Sequence, residues 1–354
     1  MKIALVTDTH WGVRNDNLTF LDYFDKFYKN IFFPELERQG IRTVLHLGDI
    51  VDRRKYISYV TLRRLKEGFI EPCLYNGIDL HVIIGNHDVP YKNTNEINAM
   101  QELFDSAGIN YYSSPKQVDF GDGIPHAIIP WINNSNYADT MEFMKLTDAQ
   151  VVFGHFEIAG CLMDRGNMNE HGMKISDFKR FDRVMSGHFH HKSTTQNIDY
   201  LGCPYELTWS DYQDPKGFHI YDTETRELEF IQNPYTMFNK VFYNDEGKTL
   251  DQLLETDFSM YEGTYVKVVK HSSGNPYWFD KYMDKLIKAE PINVQVVEDH
   301  LNLDLDEDDD IVNEAEDTLT ILSKYIETMP DNVPKKQLDN LMRSLYTEAL
   351  HFEV

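Results

Sequence analysis

The sequence predicts an α/β fold: two β-sheets packed face to face and flanked by helices, then a small α/β unit and a C-terminal helical pair. Three observations carry that expectation. Over the first 110 or so residues, short apolar runs alternate with stretches of helical spacing, as in parallel strands joined by crossover helices. From there to about residue 232, short strand-like runs dominate, broken by Pro and Gly, which calls for a second sheet. Beyond Asn233 the alternation resumes on a smaller scale, and two apolar helical stripes follow an acidic run. At 354 residues the chain exceeds one ordinary domain. The expected division is 1–232, 233–300, an acidic linker at 301–312, and a helical pair at 313–354.

Residues 2–7 are apolar (Ile3, Ala4, Leu5, Val6) and end at Asp8-Thr9-His10-Trp11-Gly12, a buried strand delivering an Asp and a His two apart. Residues 17–39 place Phe20, Tyr23, Phe24, Phe27 and Ile31 at helical spacing, and Gly40 stops them. The run 41–47 ends Gly48-Asp49-Ile50-Val51-Asp52. Residues 59–73 are helical in pattern (Val60, Leu62, Leu65, Phe69). The run 77–84 ends Gly85-Asn86-His87-Asp88, and 95–107 reads as a helix capped by Gly108. Short strands follow at 111–112, 117–120 and 127–129, broken by Pro115, Gly121, Gly123, Pro125 and Pro130. The run 149–153 ends Gly154-His155-Phe156, and 181–185 leads to Ser186-Gly187-His188-Phe189-His190-His191. Further strands are expected at 194–197, 200–201, 217–222 and 227–232. In the smaller unit, 265–269 and 294–297 read as strands and 276–288 as a helix. The last two helices carry the stripes Ala315, Leu319, Leu322, Ile326, Met329 and Leu338, Leu341, Met342, Leu345, Ala349, with Pro330 and Pro334 at the turn. Such a pair either packs on the body or waits for a partner's groove, and the acidic spacer favours a partner.

Five apolar runs thus end in residues suited to metal binding: Asp8, His10, Asp49, Asn86, His155, His188 and His190. Each alone has a bland explanation, as a turn former or a satisfied core histidine. In an extended segment, side chains two apart share a direction, so the His188–His190 stretch can aim two imidazoles together. Loops at the strand ends converge at one edge of such sheets. Seven ligands overcrowd a single ion, whereas two ions sharing one carboxylate accommodate them. Mixed oxygen and nitrogen ligation without thiolate favours manganese, iron or zinc over magnesium or calcium. Paired ions are a known device for phosphate-ester cleavage.

The net charge of −24 argues, at face value, against a polyanionic partner. The acidity is uneven: residues 290–354 hold 17 acids and 4 bases. A basic cluster stands at Arg53, Arg54, Lys55, Arg63, Arg64 and Lys66, which is either a solvated helix face or a contact for a phosphate backbone. Cys73, Cys161 and Cys203 are odd in number and far apart, which fits a reducing compartment. The first apolar run is too short for a signal peptide, and no stretch has the roughly 18 apolar residues of a membrane helix. A soluble, cytoplasmic protein is expected, with no membrane partner.

In chain order, Asp8-Thr9-His10, Gly48-Asp49-Ile50-Val51-Asp52, Gly85-Asn86-His87-Asp88, Gly154-His155 and Gly187-His188-Phe189-His190 resemble the calcineurin-like metallophosphoesterase superfamily. The resemblance implies its two-sheet β-sandwich. It implies Asp8, His10 and His190 on a first metal, Asn86, His155 and His188 on a second, and Asp49 bridging. His87 would face the scissile phosphate, and Asp88 would orient His87. Within the superfamily the chain most resembles the SbcD-like nuclease subunits that process DNA double-strand breaks, and among these the small recombination-endonuclease subunits of tailed phages. Specific points are Asp8-Thr9-His10-Trp11-Gly12, the long 154–172 segment, and Tyr200-Leu201-Gly202-Cys203-Pro204 followed by Trp209. The resemblance implies a manganese-dependent 3′→5′ exonuclease and single-strand endonuclease. It also implies a homodimer formed near 59–73 and 95–107, a capping, DNA-binding role for 233–300, and an ABC-type coiled-coil ATPase partner bound through 315–350. Gly48-Asp49-Ile50-Val51-Asp52-Arg53 also matches Ser/Thr protein phosphatases, whose Arg holds a phosphate, so Arg53 and Arg54 are candidate substrate contacts. That family, however, has Glu where Asp88 stands. The competing functions are a metallophosphatase or cyclic-nucleotide phosphodiesterase and a non-catalytic scaffold. The roles of His171 and His191 stay open.

Overall fold

The computed structural model describes residues 1–272 and 274–298, together with Ile326, Lys335, Leu338 and Met342, each of which is helical. The expected acidic linker and most of the expected helical pair lie outside the described residues.

Two six-stranded sheets form the body. In the first, spatial order is Leu228–Gln232, Gly217–Asp222, Lys2–Val6, Thr43–His46, Asp79–Ile83 and Asn110–Tyr112. In the second it is Ser193–Thr195, Ile198–Tyr200, Arg183–Gly187, Val151–His155, Pro125–Ile129 and Lys116–Asp119. Strands 2–6, 43–46 and 79–83 pair in parallel, as do 125–129, 151–155 and 183–187. These strands are mostly apolar because both faces are covered. Ile3 and Leu5 point between the sheets, against Phe153, Met185 and Tyr221. Ala4 and Val6 point the other way, into a core with Phe24, Phe27 and Phe69 from the helices. This is the two-sheet α/β sandwich that the sequence predicts.

The first helix runs over residues 18–39 as expected. Asn17 caps it, its side chain accepting from the Thr19 N–H at 2.9 Å, and Gly40 ends it at φ 68°. It is not uniform: Tyr28–Phe32 is a π-helical turn placed just before Pro34. The second helix repeats the device, with a π turn at Lys66–Ile70 before Pro72. Proline lacks the N–H that the regular ladder needs, and the wider turn absorbs the defect. The third helix begins at Ala99, later than expected, because Asn98 is the residue that caps it. Tyr137–Leu146, broken in hydrophobic pattern and half exposed, is a helix that sequence reasoning passed over.

Phe238–Asn244, Tyr265–Ser272 and Asn293–Glu298 form a separate three-stranded parallel sheet. Leu250–Leu254 and Pro276–Ile287 lie against it, with a core of Tyr243, Val266, Val268, Tyr282 and Leu286. It is anchored to the body by Glu206, whose carboxylate accepts from the Met237 and Phe238 N–H groups at 2.6 and 2.8 Å. Phe238 also packs on Trp209 and Phe20. Among the described residues no helix is long and apolar enough to cross a membrane.

Candidate two-metal centre

Five strands end at one edge of the sandwich; His155 closes its strand, and the other candidate ligands lie in the loops that follow. Gly187 is the register partner of His155, so the second sheet presents both of its ligand-bearing ends together. The loops from the first sheet are locked to each other by backbone hydrogen bonds, Asp8 N–H to Gly48 carbonyl (3.0 Å) and His10 N–H to Asp49 carbonyl (3.1 Å). Two glycines permit the close approach. A Cβ on Gly85 would collide with the Asp49 carboxylate, and one on Gly187 with the Thr7 hydroxyl. The candidate ligands Asp8, His10, Asp49 and His188 have φ of 52°, 42°, 56° and 90°, a left-handed conformation that costs about 1–3 kcal/mol per residue. The surrounding hydrogen bonds hold that strain at the edge where the ligands converge.

Of three overlapping groups of donor atoms, His10, Asp49 and His87 form one, at the join of the two that follow. Asp8, His10 and His190 converge, with His10 Nε2 3.0 Å from His190 Nε2. Asp49, His155 and His188 form the other, joined by Asn86, whose Oδ1 lies 2.9 Å from His155 Nε2 and 3.0 Å from His188 Nδ1. Asp49 Oδ2 stands between them, 3.2 Å from His155 Nε2 and 3.9 Å from His10 Nε2. All seven predicted ligands are therefore brought together. His188 and His190 nevertheless do not share one target: the strand ends at Gly187, and each ring joins a different group.

The donor chemistry fits divalent metal ions. His155 Nδ1 donates to the Leu47 carbonyl at 2.8 Å, so in the neutral ring Nε2 carries a lone pair. That lone pair faces two further acceptors, Asn86 Oδ1 and Asp49 Oδ2. A cation among them, a proton on the ring in the metal-free protein or a metal ion in its place, turns that repulsion into attraction.

Residues 1–192 match the calcineurin-like phosphoesterase family. The chain belongs to that family. It is 31% identical over 360 residues to exonuclease subunit 1 of Enterobacteria phage T4, covering 99% of both chains. It is 23% identical to the SbcD component of the SbcCD nuclease of Staphylococcus saprophyticus, over 64% of this chain and 67% of that one. The corresponding Staphylococcus epidermidis protein is 22% identical over similar shares.

Electrostatics in the phosphoesterase centre favour cation exchange. Burial opposes charge on His10, but Asp52, Asp49 and Asp8 overcome it and raise the imidazole to about 10. His155 is likewise raised to about 9, against burial, by Asp49. Burial works against the Asp49 carboxylate too, yet His155 and His87 hold it well below the usual range. Metal-free protein therefore keeps His10 and His155 protonated at neutral pH. Their contribution to stability is complete below about 6.5, the ordinary histidine value, and is lost as pH rises through 9–10. Metal must displace those protons. Manganese uptake at pH 7.5 is expected to release about two protons per chain, and affinity is expected to rise from pH 6 to 9. Calorimetry in buffers of different ionisation enthalpy measures the release, and a heat independent of buffer would contradict it.

Asp88 does not orient His87 as the resemblance implies. The His87 ring is fixed by Asp52, not Asp88: Nδ1 lies 2.6 Å from the Asp52 carbonyl, which leaves Nε2 as the free ring nitrogen. Its backbone N–H donates to Asp49 Oδ1 at 2.7 Å. Burial lowers its pKa. Both Asp88 oxygens face backbone instead, accepting from Gly85 (2.8 Å), Asp49 (2.9 Å), Ile50 (2.9 Å) and Val51 (3.3 Å). The correction has a simple cause. A carboxylate buried at a loop crossing is drawn to the densest set of unpaired N–H groups. Asp88 thus staples the Asp49 loop to the Asn86 loop. Asp88→Ala, which strands several buried donors, is expected to destabilise the fold by about 3 kcal/mol, read by denaturant unfolding. An unchanged midpoint would remove the staple.

Arg53 is engaged within the protein, 2.9 Å from Asp16 Oδ2 and donating to Asn15 Oδ1 at 2.7 Å, with Tyr56 against its guanidinium. Arg54 borders a cleft with Lys55, Tyr56 and Leu103. Arg64 pairs with Asp22 and Asp25. His171 is exposed, its carbonyl accepting from Asn169. His191 Nδ1 meets Asp214 Oδ1 at 2.8 Å.

Sequence reasoning missed Asp52, which also lies 3.3 Å from His10 Nδ1, and the buried Lys216. Lys216 Nζ donates to the His190 carbonyl at 2.8 Å and stands 2.6 and 2.8 Å from Asp211 and Asp214. That network sets the backbone from which the His190 ring projects. In sequence, the Asp211, Asp214 and Lys216 charges look like an ordinary solvated loop.

Proposed function

We propose that this phosphoesterase is a manganese-dependent DNA nuclease subunit, a 3′→5′ exonuclease and single-strand endonuclease serving recombination, replication and double-strand-break processing. The observation that carries the reading is the position of Asp49 Oδ2 between two groups of nitrogen and oxygen donors. The full-length likeness to a phage exonuclease subunit supports DNA as the substrate. Asp8, His10 and His190 would hold one ion and Asn86, His155 and His188 the other, with Asp49 shared. When bound, the ions activate water and offset the charge on the phosphate. The chain's own residues do the rest. The left-handed loops orient the ligands, Asp88 keeps two of those loops in register, and Asp52 holds the His87 ring for charge stabilisation or proton delivery at the leaving oxygen.

The deciding test is incubation with manganese and end-labelled DNA. Release of nucleotides is expected. Turnover of a phosphomonoester or a cyclic nucleotide without nucleotide release would replace the nuclease by a phosphatase or cyclic-nucleotide phosphodiesterase. Failure on all of these would leave a scaffold.

The partner in this reading is an SbcC-like ABC-type ATPase with a coiled coil, engaged through 315–350. Deleting 311–354 is expected to leave basal manganese-dependent cleavage and to abolish co-purification with the ATPase; retained co-purification would refute the helical-pair assignment. A homodimer through the 59–73 and 95–107 faces is supported by the exposure there of Tyr59 (90%), Val60 (51%) and Ile97 (47%). The compartment that this reading implies is the cytoplasm, where DNA and such a partner meet.

A further inference from the structure

Beside the second group of ligands lies a cleft of about 350 Å³ that none of the roles above uses. It begins at His155 and runs out between the 131–137 loop and residues 172–177. Its apolar surface comes from Trp131, Phe156 and Met173, and Tyr137, half exposed, stands at the side. Trp131 touches the ligand histidines, its ring centroid 5.2 Å from His188 and 6.2 Å from His155.

The Trp131 platform is held in advance. Its backbone N–H donates to the Ile84 carbonyl at 2.8 Å, and its carbonyl accepts from Asn95 Nδ2 at 2.8 Å and Asn136 Nδ2 at 3.0 Å. Asn133 Nδ2 in turn donates to Asn95 Oδ1 at 2.9 Å. Two asparagine side chains thus fix the backbone of Trp131, a third braces one of them, and the aromatic residue itself is only partly buried. The charge of the cleft selects against phosphate, since Glu157 and Asp177 line it and Lys174 is its one lysine. Its volume lies near the lower end of the roughly 300–1,000 Å³ usual for small-ligand sites. An uncharged, flat, hydrogen-bonding group suits such walls.

We propose that this cleft receives the unpaired nucleobase of the nucleotide adjoining the scissile phosphate, with Trp131 and Tyr137 as its stacking surfaces. The proposal rests on the nuclease reading, and it gives that reading a physical basis for acting on unpaired ends. A base kept in a duplex stack cannot enter the cleft, so an end must fray first.

The test uses full-length protein and single-stranded oligonucleotides with 2-aminopurine at the last or next-to-last nucleotide. In the His87→Ser background with manganese, binding is expected to quench the fluorescence at one of these positions, and Tyr137→Ala or Trp131→Leu to remove the quench. With unmutated protein, replacing that nucleotide by an abasic one is expected to lower kcat/KM by roughly tenfold to a hundredfold, the range that base–aromatic stacking gives. Tyr137→Ala should shrink that gap to about twofold. Equal cutting of normal and abasic ends, or a quench that survives both substitutions, would overturn the proposal. If unmutated protein cuts neither oligonucleotide, the nuclease reading fails. The quench and its dependence on Tyr137 then still decide whether the cleft takes a base.

Discussion

Asp49→Asn is expected to reduce bound manganese from two ions per chain to one or none, and to lower cleavage by about three orders of magnitude. The amide keeps the shape of the carboxylate and can still accept the His87 N–H through Oδ1, so the fold survives. What disappears is the negative charge between His155 and His10. Two cations placed close together repel strongly, and a shared anionic oxygen is what offsets that repulsion. Loss of several kcal/mol of charge stabilisation, at about 1.36 kcal/mol per tenfold, corresponds to the expected thousandfold or more. Metal content by anomalous scattering at the manganese edge, together with the cleavage rate, measures both effects. A variant that retained two ions and near-normal cleavage would sink the shared-carboxylate account.

His87→Ser is expected to separate chemistry from binding. It should lower cleavage by at least about a hundredfold, within the range for removal of a positioned acid–base group, while manganese stoichiometry and DNA affinity stay within about twofold. The geometry supports that division. His87 Nδ1 is committed to the Asp52 carbonyl, and its ring stands edge-on to His10 at 4.8 Å. His87 Nε2 is therefore free to meet a substrate oxygen. Loss of an ion in this variant would instead make His87 a ligand, an outcome that its grouping with His10 and Asp49 makes worth measuring.

Much of this was legible without coordinates. Strands buried on both faces are largely apolar, so the runs ending at Asp8, Asp49, Asn86, His155 and His188 stand out from the helices between them. Asn17 and Gly40 mark their helix because a cap and a left-handed stop are local requirements. The helix Tyr137–Leu146 was not legible, because it buries only Thr140 and Met144 fully and shows little periodicity. Trp131 was not legible as a neighbour of the site either, because Asn95, His155 and His188, which its carbonyl and ring meet, come from other segments.

By itself the sequence determined the α/β class, the positions of most strands of the body along the chain and the identity of the residues that crowd one edge. Backbone hydrogen bonding and apolar burial act over a few residues, so their periods are written along the chain. Only the tertiary structure decided that Asp88 serves the backbone and not His87, that Lys216 braces His190, and that a base-sized cleft opens beside His155. Those outcomes depend on which donor lies nearest across loops far apart in sequence, a competition over distances that no local pattern records.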